Sequence, residues 1–245
     1  MRQTHISILG TFDGEYDGHV ATRDAIIHAE RALGVVINTR WITPDELSNP
    51  AESLADSCGV LIACRNPKHL RRLMPDVLAS LTFAREKQLP TLGIEGGFQH
   101  MLIEYARVVA GHPEANSTAY DEDSFYPLLT RLAPDLVGEK PREEPCAIKL
   151  SAGSRLREFY DGQEQITESY RSHYGLNADY MAELEAAGLA FSAEGEAFDR
   201  RFVAGFELPS LAFFVGVAFL PQHGSKKEHG HPLFRAFVES ALKRR

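Results

Sequence analysis

The order of apolar and polar positions in the first half of the chain predicts strands that alternate with helices. Helical spacing covers residues 20–33, 70–87 and 97–110. Strands are predicted by apolar runs at residues 5–10, 58–63 and 90–94, and by the period-two pattern of residues 35–41. This alternation predicts an α/β fold: a doubly wound, mostly parallel sheet with helices on both faces.

The pattern changes in the second half. Residues 114–145 are rich in Pro, Asp, Glu and Ser and predict a long loop with one short helix. Strands are predicted over residues 146–150 and 211–219, and helices over residues 177–187 and 231–243. An earlier capping box, from Thr43 to Glu46 with Pro44 at the first helical position, predicts a short helix. No repeat or sharp linker divides the chain, so we expect one domain over residues 1–245.

Composition narrows the class of protein. Of the 245 residues, 26 are Lys or Arg and 34 are Asp or Glu, and the net charge of −8 disfavours nucleic acid or an anionic membrane as the main partner. No apolar run approaches the roughly 20 residues that a membrane helix needs. The three cysteines lack metal-ligand spacing, which argues against a disulfide framework or a zinc site. We therefore expect a cytoplasmic protein without metal or cofactor.

The most informative segment runs from Pro90 to His100, where an apolar strand enters the sequence Gly-Ile-Glu-Gly-Gly and then a helix. This is the pattern of a nucleophile elbow, whose glycines let strand and helix approach closely. The central position, which is Ser or Cys in elbow enzymes, is Glu95. Its carboxylate is suited to act as a general base, a cation ligand or a nucleophile, and the simpler alternative is that it only caps its helix.

Several motifs in order resemble the class I glutamine amidotransferases, and most of all the carboxy-terminal glutaminase domain of CTP synthase. They include Phe-Ala-Arg-Glu at 83–86, Gly-Gly-Phe-Gln-His at 96–100, Glu-Tyr-Ala-Arg at 104–107, Glu-Ala-Asn-Ser-Thr at 114–118, Tyr-Gly-Leu-Asn at 174–177 and His-Pro-Leu-Phe at 231–234. The resemblance implies the flavodoxin-like fold of that family. It also points to stand-alone relatives without a synthetase domain, for which 245 residues leave no room.

The family pattern implies a triad of Cys at the elbow, followed by His and Glu after the last strand. All three matching positions differ here, and they hold Glu95, Leu220 and Gln222. The family's glycine-rich oxyanion loop reads Cys64-Arg65-Asn66-Pro67. Amide hydrolysis through a thioester needs a thiolate and a base to generate it, so we expect no glutaminase activity by the family mechanism.

Parallel strands end at one edge of the sheet, where α/β proteins bind ligands. The candidate acid–base groups there are Glu95, His173 and Tyr170. The candidate ligand-binding residues are Arg65, Asn66, Gly96, Phe98, Gln99, Gln222 and His223. Arg65 favours a carboxylate or another anion, although a surface ion pair explains it equally well. Cys64 is more simply a small buried residue than a displaced nucleophile.

Two functions remain open at this point. The first is a binding or regulatory module for a small amino-acid-like or anionic ligand, without glutaminase activity. The second is a repurposed hydrolase or lyase that uses Glu95 as base or nucleophile. The histidines at 223, 229 and 231 resemble a metal cluster only in composition, and a mobile solvated loop explains them better. A homo-oligomer is left open.

Overall fold

The computed structural model describes residues 4–63, 75–132 and 142–244. Its main sheet has nine strands, and the half containing the first strand is parallel. In spatial order, this half consists of β2 (Asn38–Ile42), β1 (His5–Leu9), β3 (Ser57–Ile62), β4 (Thr91–Ile94) and β12 (Phe214–Val217). Each of these strands lies within or overlaps a predicted apolar run or period-two segment, which confirms the predicted α/β architecture.

The same sheet continues beyond β12 with antiparallel strands. In spatial order they are β11 (Arg200–Glu207), β10 (Ala190–Ala197), β7 (Glu144–Leu150) and β8 (Gln165–Tyr170). The sheet is therefore mixed. Sequence reasoning found β7 but missed the other three strands.

Helices cover both faces of the sheet. They are α1 (Asp17–Leu33), α2 (Pro50–Ser53), α3 (Pro75–Glu86), α4 (Gly96–Val108), α5 (Arg155–Phe159), α6 (Met181–Ala186) and α7 (Pro232–Leu242). A Cβ at Gly59 would contact Phe237 of α7, whereas Ile62, three residues further along β3, contacts Gly97 of α4. Since side chains alternate between faces along a strand, α7 and α4 lie on opposite faces.

The segment predicted as a long loop differs from that expectation. Within its described part lie β5 (Ala115–Ser117) and β6 (Tyr126–Arg131), which form a separate three-stranded sheet with β9 (Tyr174–Leu176). Leu129 pairs with Leu176, and Leu128 and Leu129 are fully buried. The pairing joins segments far apart in the chain, so local composition did not reveal it.

Two predicted helices begin or end differently. The helix predicted over residues 177–187 is a 3₁₀ turn at Ala178–Tyr180 followed by α6. The predicted capping box at Thr43 is present and starts a 3₁₀ turn at Pro44–Leu47. Residues 70–74 of the helix predicted over 70–87 lie outside the described residues.

Candidate functional site

Glu95 stands at the apex between β4 and α4. Its backbone has φ 49° and ψ −99°, a left-handed conformation that is uncommon for a residue with a side chain. The Glu95 N–H donates to the carbonyl oxygen of Val217 on the neighbouring strand, and the residue is only 6% exposed. Its carboxylate makes no capping hydrogen bond to the first turn of α4, all of which is described. The simple capping interpretation is therefore wrong.

The glycines on either side of Glu95 are needed for close approach. A Cβ at Gly97 would overlap the carbonyl oxygen of Ile62 and lie 2.9 Å from the Ile62 Cβ. A Cβ at Gly93 would overlap the Met101 sulfur and lie 2.8 Å from the Gly97 carbonyl carbon. The strand and the helix therefore pack backbone against backbone, and this packing holds Glu95 at the edge of the sheet.

The other two positions that the family pattern assigns to a triad follow the adjacent strand. β12 runs parallel to β4 with Val217 opposite Ile94, so the chain leaves both strands at the same edge. Leu220 and Gln222 come directly after β12 and are 0% and 2% exposed. The Leu220 N–H donates to the Ser169 carbonyl oxygen at 2.7 Å, which ties this turn to the end of β8.

The segment after β8 brings three further side chains to this region. Gln99 of α4 donates through its Nε2 to the Ser172 hydroxyl at 3.4 Å. Tyr170 and His173 are both buried, and their rings contact Phe202 and Phe198. The structure thus brings the candidate residues Gln99, Tyr170 and His173 into one neighbourhood.

Tyr170 is close to Glu95 electrostatically. Burial raises the pKa of the Tyr170 phenol, the neighbouring Ser172 hydroxyl lowers it, and negative charge on Cys146 and Glu95 raises it further. The phenol therefore stays protonated over the physiological range. It is suited to donate a hydrogen bond, and it is not suited to act as a base.

A cavity of about 330 Å³ opens beside this segment, and we call it the hairpin cavity. Its walls come from residues 142–146 at the start of β7, residues 170–173 after β8, and residues 196–198 at the tip of the β10–β11 hairpin. Two of the predicted acid–base residues, Tyr170 and His173, line it. Glu95 is not among the lining residues in the described part of the chain.

The other candidate residues lie elsewhere. The Nδ1 atom of His223 lies 2.6 Å from a carboxylate oxygen of Glu143. Phe98 is buried against the Phe206 ring of β11, and the Gly96 carbonyl oxygen is bonded by His100 Nδ1 at 2.8 Å. Arg65, Asn66 and Cys64 lie outside the described residues.

Two features were missed from the sequence. One is Arg171, whose guanidinium lies over the Tyr16 ring and donates to the Tyr16 hydroxyl. The other is a buried network in which the Tyr160 hydroxyl donates to Glu168 at 2.8 Å and His231 Nε2 lies 2.9 Å from the same oxygen. His231 is 4% exposed and caps α7, so it does not belong to a solvated loop. Neither feature has a local sequence signal, because each joins distant segments.

Two searches of the described residues found nothing. No group of three or more His, Cys, Asp or Glu side chains in the described ranges could hold a metal ion. None of the helices with described residues is both long enough and apolar enough to span a membrane.

No protein-family model matches the chain. CTP synthase of Methanopyrus kandleri is 33% identical over 250 aligned positions, covering 98% of the chain and 45% of that protein. CTP synthase of Archaeoglobus fulgidus is 31% identical over 248 positions, covering 99% and 45%. The chain thus spans about 45% of the length of these relatives.

A solved structure has the same fold. The glutaminase domain of Trypanosoma brucei CTPS, solved with bound acivicin, matches with a TM-score of 0.87 and 23% sequence identity. The match covers 98% of the chain and 94% of that domain. The chain is therefore complete with respect to the architecture of that domain, from β1 through α7.

Proposed function

We propose, because the chain is homologous to the glutaminase domain of CTP synthase, that it is a binding or regulatory module that does not hydrolyse glutamine by a thioester mechanism. Its ligand is a small amino-acid-like or anionic molecule bound at the carboxyl edge of the sheet near Glu95. The proposal rests on one observation above all. A carboxylate occupies the strained apex between β4 and α4, where the family pattern implies a thiol.

The chemistry of the apex supports the loss of glutaminase activity. A thioester forms only when a thiolate attacks the amide carbonyl, and a carboxylate is a poor nucleophile toward amides. The two described cysteines, Cys58 and Cys146, are both buried, and burial raises the pKa of the Cys146 thiol. A raised thiol pKa reduces the thiolate fraction at neutral pH.

The positions after β12 support the same conclusion. Leu220 has no group that can accept or donate a proton, and the amide of Gln222 cannot orient a base through charge. Both side chains are buried, so they pack the turn that follows β12. Replacing Glu95 alone by cysteine would therefore leave the new thiol without the proton acceptor that the family pattern implies at position 220.

The binding role is supported by what remains at the edge of the sheet. Buried polar side chains from three elements, Glu95, Gln99 and Gln222, lie where α/β proteins bind ligands. Arg171 adds a planar cation suited to a carboxylate. The related trypanosomal domain holds the small molecule acivicin.

The glutaminase part of the proposal is tested by measuring ammonia release from L-glutamine. We expect none above background for the purified protein or for the Glu95→Cys variant. A covalent thiol probe should label the Glu95→Cys variant more than the parent chain, which would show that the apex is accessible. Ammonia release by the parent chain at rates typical of glutaminases would overturn the proposal.

The binding part is tested by thermal shift with amino acids, dicarboxylates and nucleotides. A ligand at 100 times its dissociation constant adds about 2.7 kcal/mol of stability. We expect a shift that Glu95→Gln removes and that the control Glu185→Gln, at an exposed position on α6, retains. A repurposed hydrolase or lyase would instead show conversion of one of these compounds, lost in Glu95→Gln.

A further inference from the structure

We propose that the hairpin cavity is a second binding site, separate from the region of Glu95, and that it takes a zwitterionic α-amino acid with an apolar side chain. The proposal stands on the charge, the size and the lining of the cavity. It goes beyond the proposed binding role of Glu95 and does not depend on it.

The charges around the cavity are balanced and of both signs. Arg142 and Arg171 contribute cations, and Glu144 and Glu196 contribute anions, while His173 adds a ring that can carry a further positive charge. A molecule with only an anionic or only a cationic group would leave one pair of these charges without a counterpart. A zwitterion satisfies both, since its carboxylate faces arginine and its ammonium faces glutamate.

The remaining lining is apolar and suits a hydrophobic side chain. Phe198 is 41% exposed at the mouth, although large aromatic side chains are usually covered. Its ring contacts His173, and Pro145 and Ala197 complete this wall. The volume of about 330 Å³ lies at the lower end of the range for small-molecule pockets. An amino acid matches that size better than a nucleotide.

The walls are held in place by the sheet. β10 pairs with β7, Gly195 lies opposite Ile148, and the Cys146 thiol donates to the Glu196 carbonyl oxygen at 3.4 Å. Tyr170 forms part of the interior and its hydroxyl is buried without a well-formed hydrogen bond among the described residues. A preformed pocket with a buried donor binds a small polar ligand without first ordering its walls.

The test uses three related probes in isothermal titration calorimetry with the full chain. L-Phenylalanine carries both charges, 3-phenylpropionate keeps only the carboxylate, and 2-phenylethylamine keeps only the ammonium. We expect L-phenylalanine to bind at least tenfold more tightly than either analogue. Equal binding of 3-phenylpropionate would show an anion site and overturn the zwitterion assignment, and so would absence of L-phenylalanine binding at millimolar concentration.

Variants then locate the binding. Glu196→Gln and Phe198→Ala should each weaken L-phenylalanine binding at least tenfold. Glu194→Gln is the matched control, because Glu194 lies on the same strand and pairs with exposed Arg201 outside the cavity. Both glutamates are exposed, so either change should leave the fold intact.

The result also separates this site from that of the proposed function. Binding that is lost in Glu196→Gln and retained in Glu95→Gln supports the hairpin cavity. Binding that is lost only in Glu95→Gln overturns the second site and leaves the proposed role of Glu95 standing.

Discussion

At the scale of single residues, Glu95 is held in a conformation that few side chains adopt. A left-handed backbone costs a non-glycine residue roughly 1–2 kcal/mol, and such strain persists only where the surrounding structure imposes it. Here it is imposed by Gly93 and Gly97, which bring β4 and α4 into backbone contact. The strain is retained although the apex carries a carboxylate, which supports a continuing role for this position in binding.

The close contact at Gly97 leads to a prediction about stability. A methyl group there would overlap the Ile62 carbonyl oxygen, and backbone cannot move aside as a side chain can. We expect Gly97→Ala to lower the free energy of unfolding by about 3 kcal/mol, the upper part of the range for overpacking. Urea denaturation followed by circular dichroism measures this change.

The matched control is Gly14→Ala in the loop before α1. A Cβ there would lie 3.6 Å from the Phe12 ring, an ordinary contact distance. The expected change is within about 0.5 kcal/mol, as for surface substitutions in general. Similar losses at the two positions would contradict the close-packing explanation for Gly97.

At the scale of elements, local signals worked where the interaction itself is local. The capping box is an example: the Glu46 carboxylate accepts hydrogen bonds from the Thr43 N–H at 2.9 Å and the Thr43 hydroxyl at 3.0 Å. The turn between β10 and β11 shows the opposite case. Phe198 and Asp199 both have positive φ, where hairpins usually carry Asn or Gly, so the sequence lacked the usual signal.

The capping box should make stability depend on acid pH. The backbone hydrogen bond from Thr43 holds the pKa of Glu46 below its usual value of 4.5. The ionised cap therefore stabilises the fold above the unfolded pKa, and this contribution is lost as the pH falls through the lowered folded pKa. We expect Glu46→Ala to cost about 0.5 kcal/mol at pH 7, since solvent screens this exposed group.

Thermal unfolding at pH 7 and pH 3 checks this expectation. The difference between Glu46→Ala and the parent chain should shrink at pH 3. Asp45→Ala is the control, because Asp45 is an exposed carboxylate in the same turn. A loss as large as that of Glu46→Ala would count against the specific role of the cap.

At the scale of the whole molecule, distant segments meet in buried polar contacts. Tyr160 follows α5, Glu168 lies in β8 and His231 caps α7, and all three are less than 10% exposed. Their hydrogen bonds join the antiparallel half of the sheet to the last helix. Glu168 lies two residues before Tyr170, so this network also supports one wall of the hairpin cavity.

The network predicts a loss of stability in alkali. Burial, together with the Glu168 charge and hydrogen bond, raises the pKa of Tyr160 well above its usual value of 10.0. The unfolded chain loses this proton near pH 10 while the folded protein keeps it. The stabilisation is thus complete below pH 10 and is lost as the pH rises toward the folded pKa.

We expect Tyr160→Phe to lower the unfolding free energy by about 1–2 kcal/mol at neutral pH, because Glu168 loses a donor. Above pH 10 the stability of the variant should fall less steeply than that of the parent chain. Denaturation at several pH values measures both slopes. Tyr180→Phe, at a half-buried position outside the network, is the control, and equal slopes for Tyr160→Phe and the parent chain would contradict the prediction.

The parallel half of the fold was predictable because each of its strands is a short apolar or alternating segment and its main helices have clear spacing. The strand–turn–helix around Glu95 was predictable for the same reason. The antiparallel strands were not, since β10 and β11 are recognisable only from each other, and β6 only from its pairing with β9. The candidate residues divided in the same way.

The amino-acid sequence alone was sufficient for the α/β class, for the position of Glu95 at a turn between strand and helix, and for the absence of a thiol there. These are local properties, set by spacing, glycine placement and residue identity. The hairpin cavity, the burial of His231 and the approach of Tyr170 to Glu95 emerged only in three dimensions. Each depends on pairing between segments far apart in the chain, which no local pattern encodes.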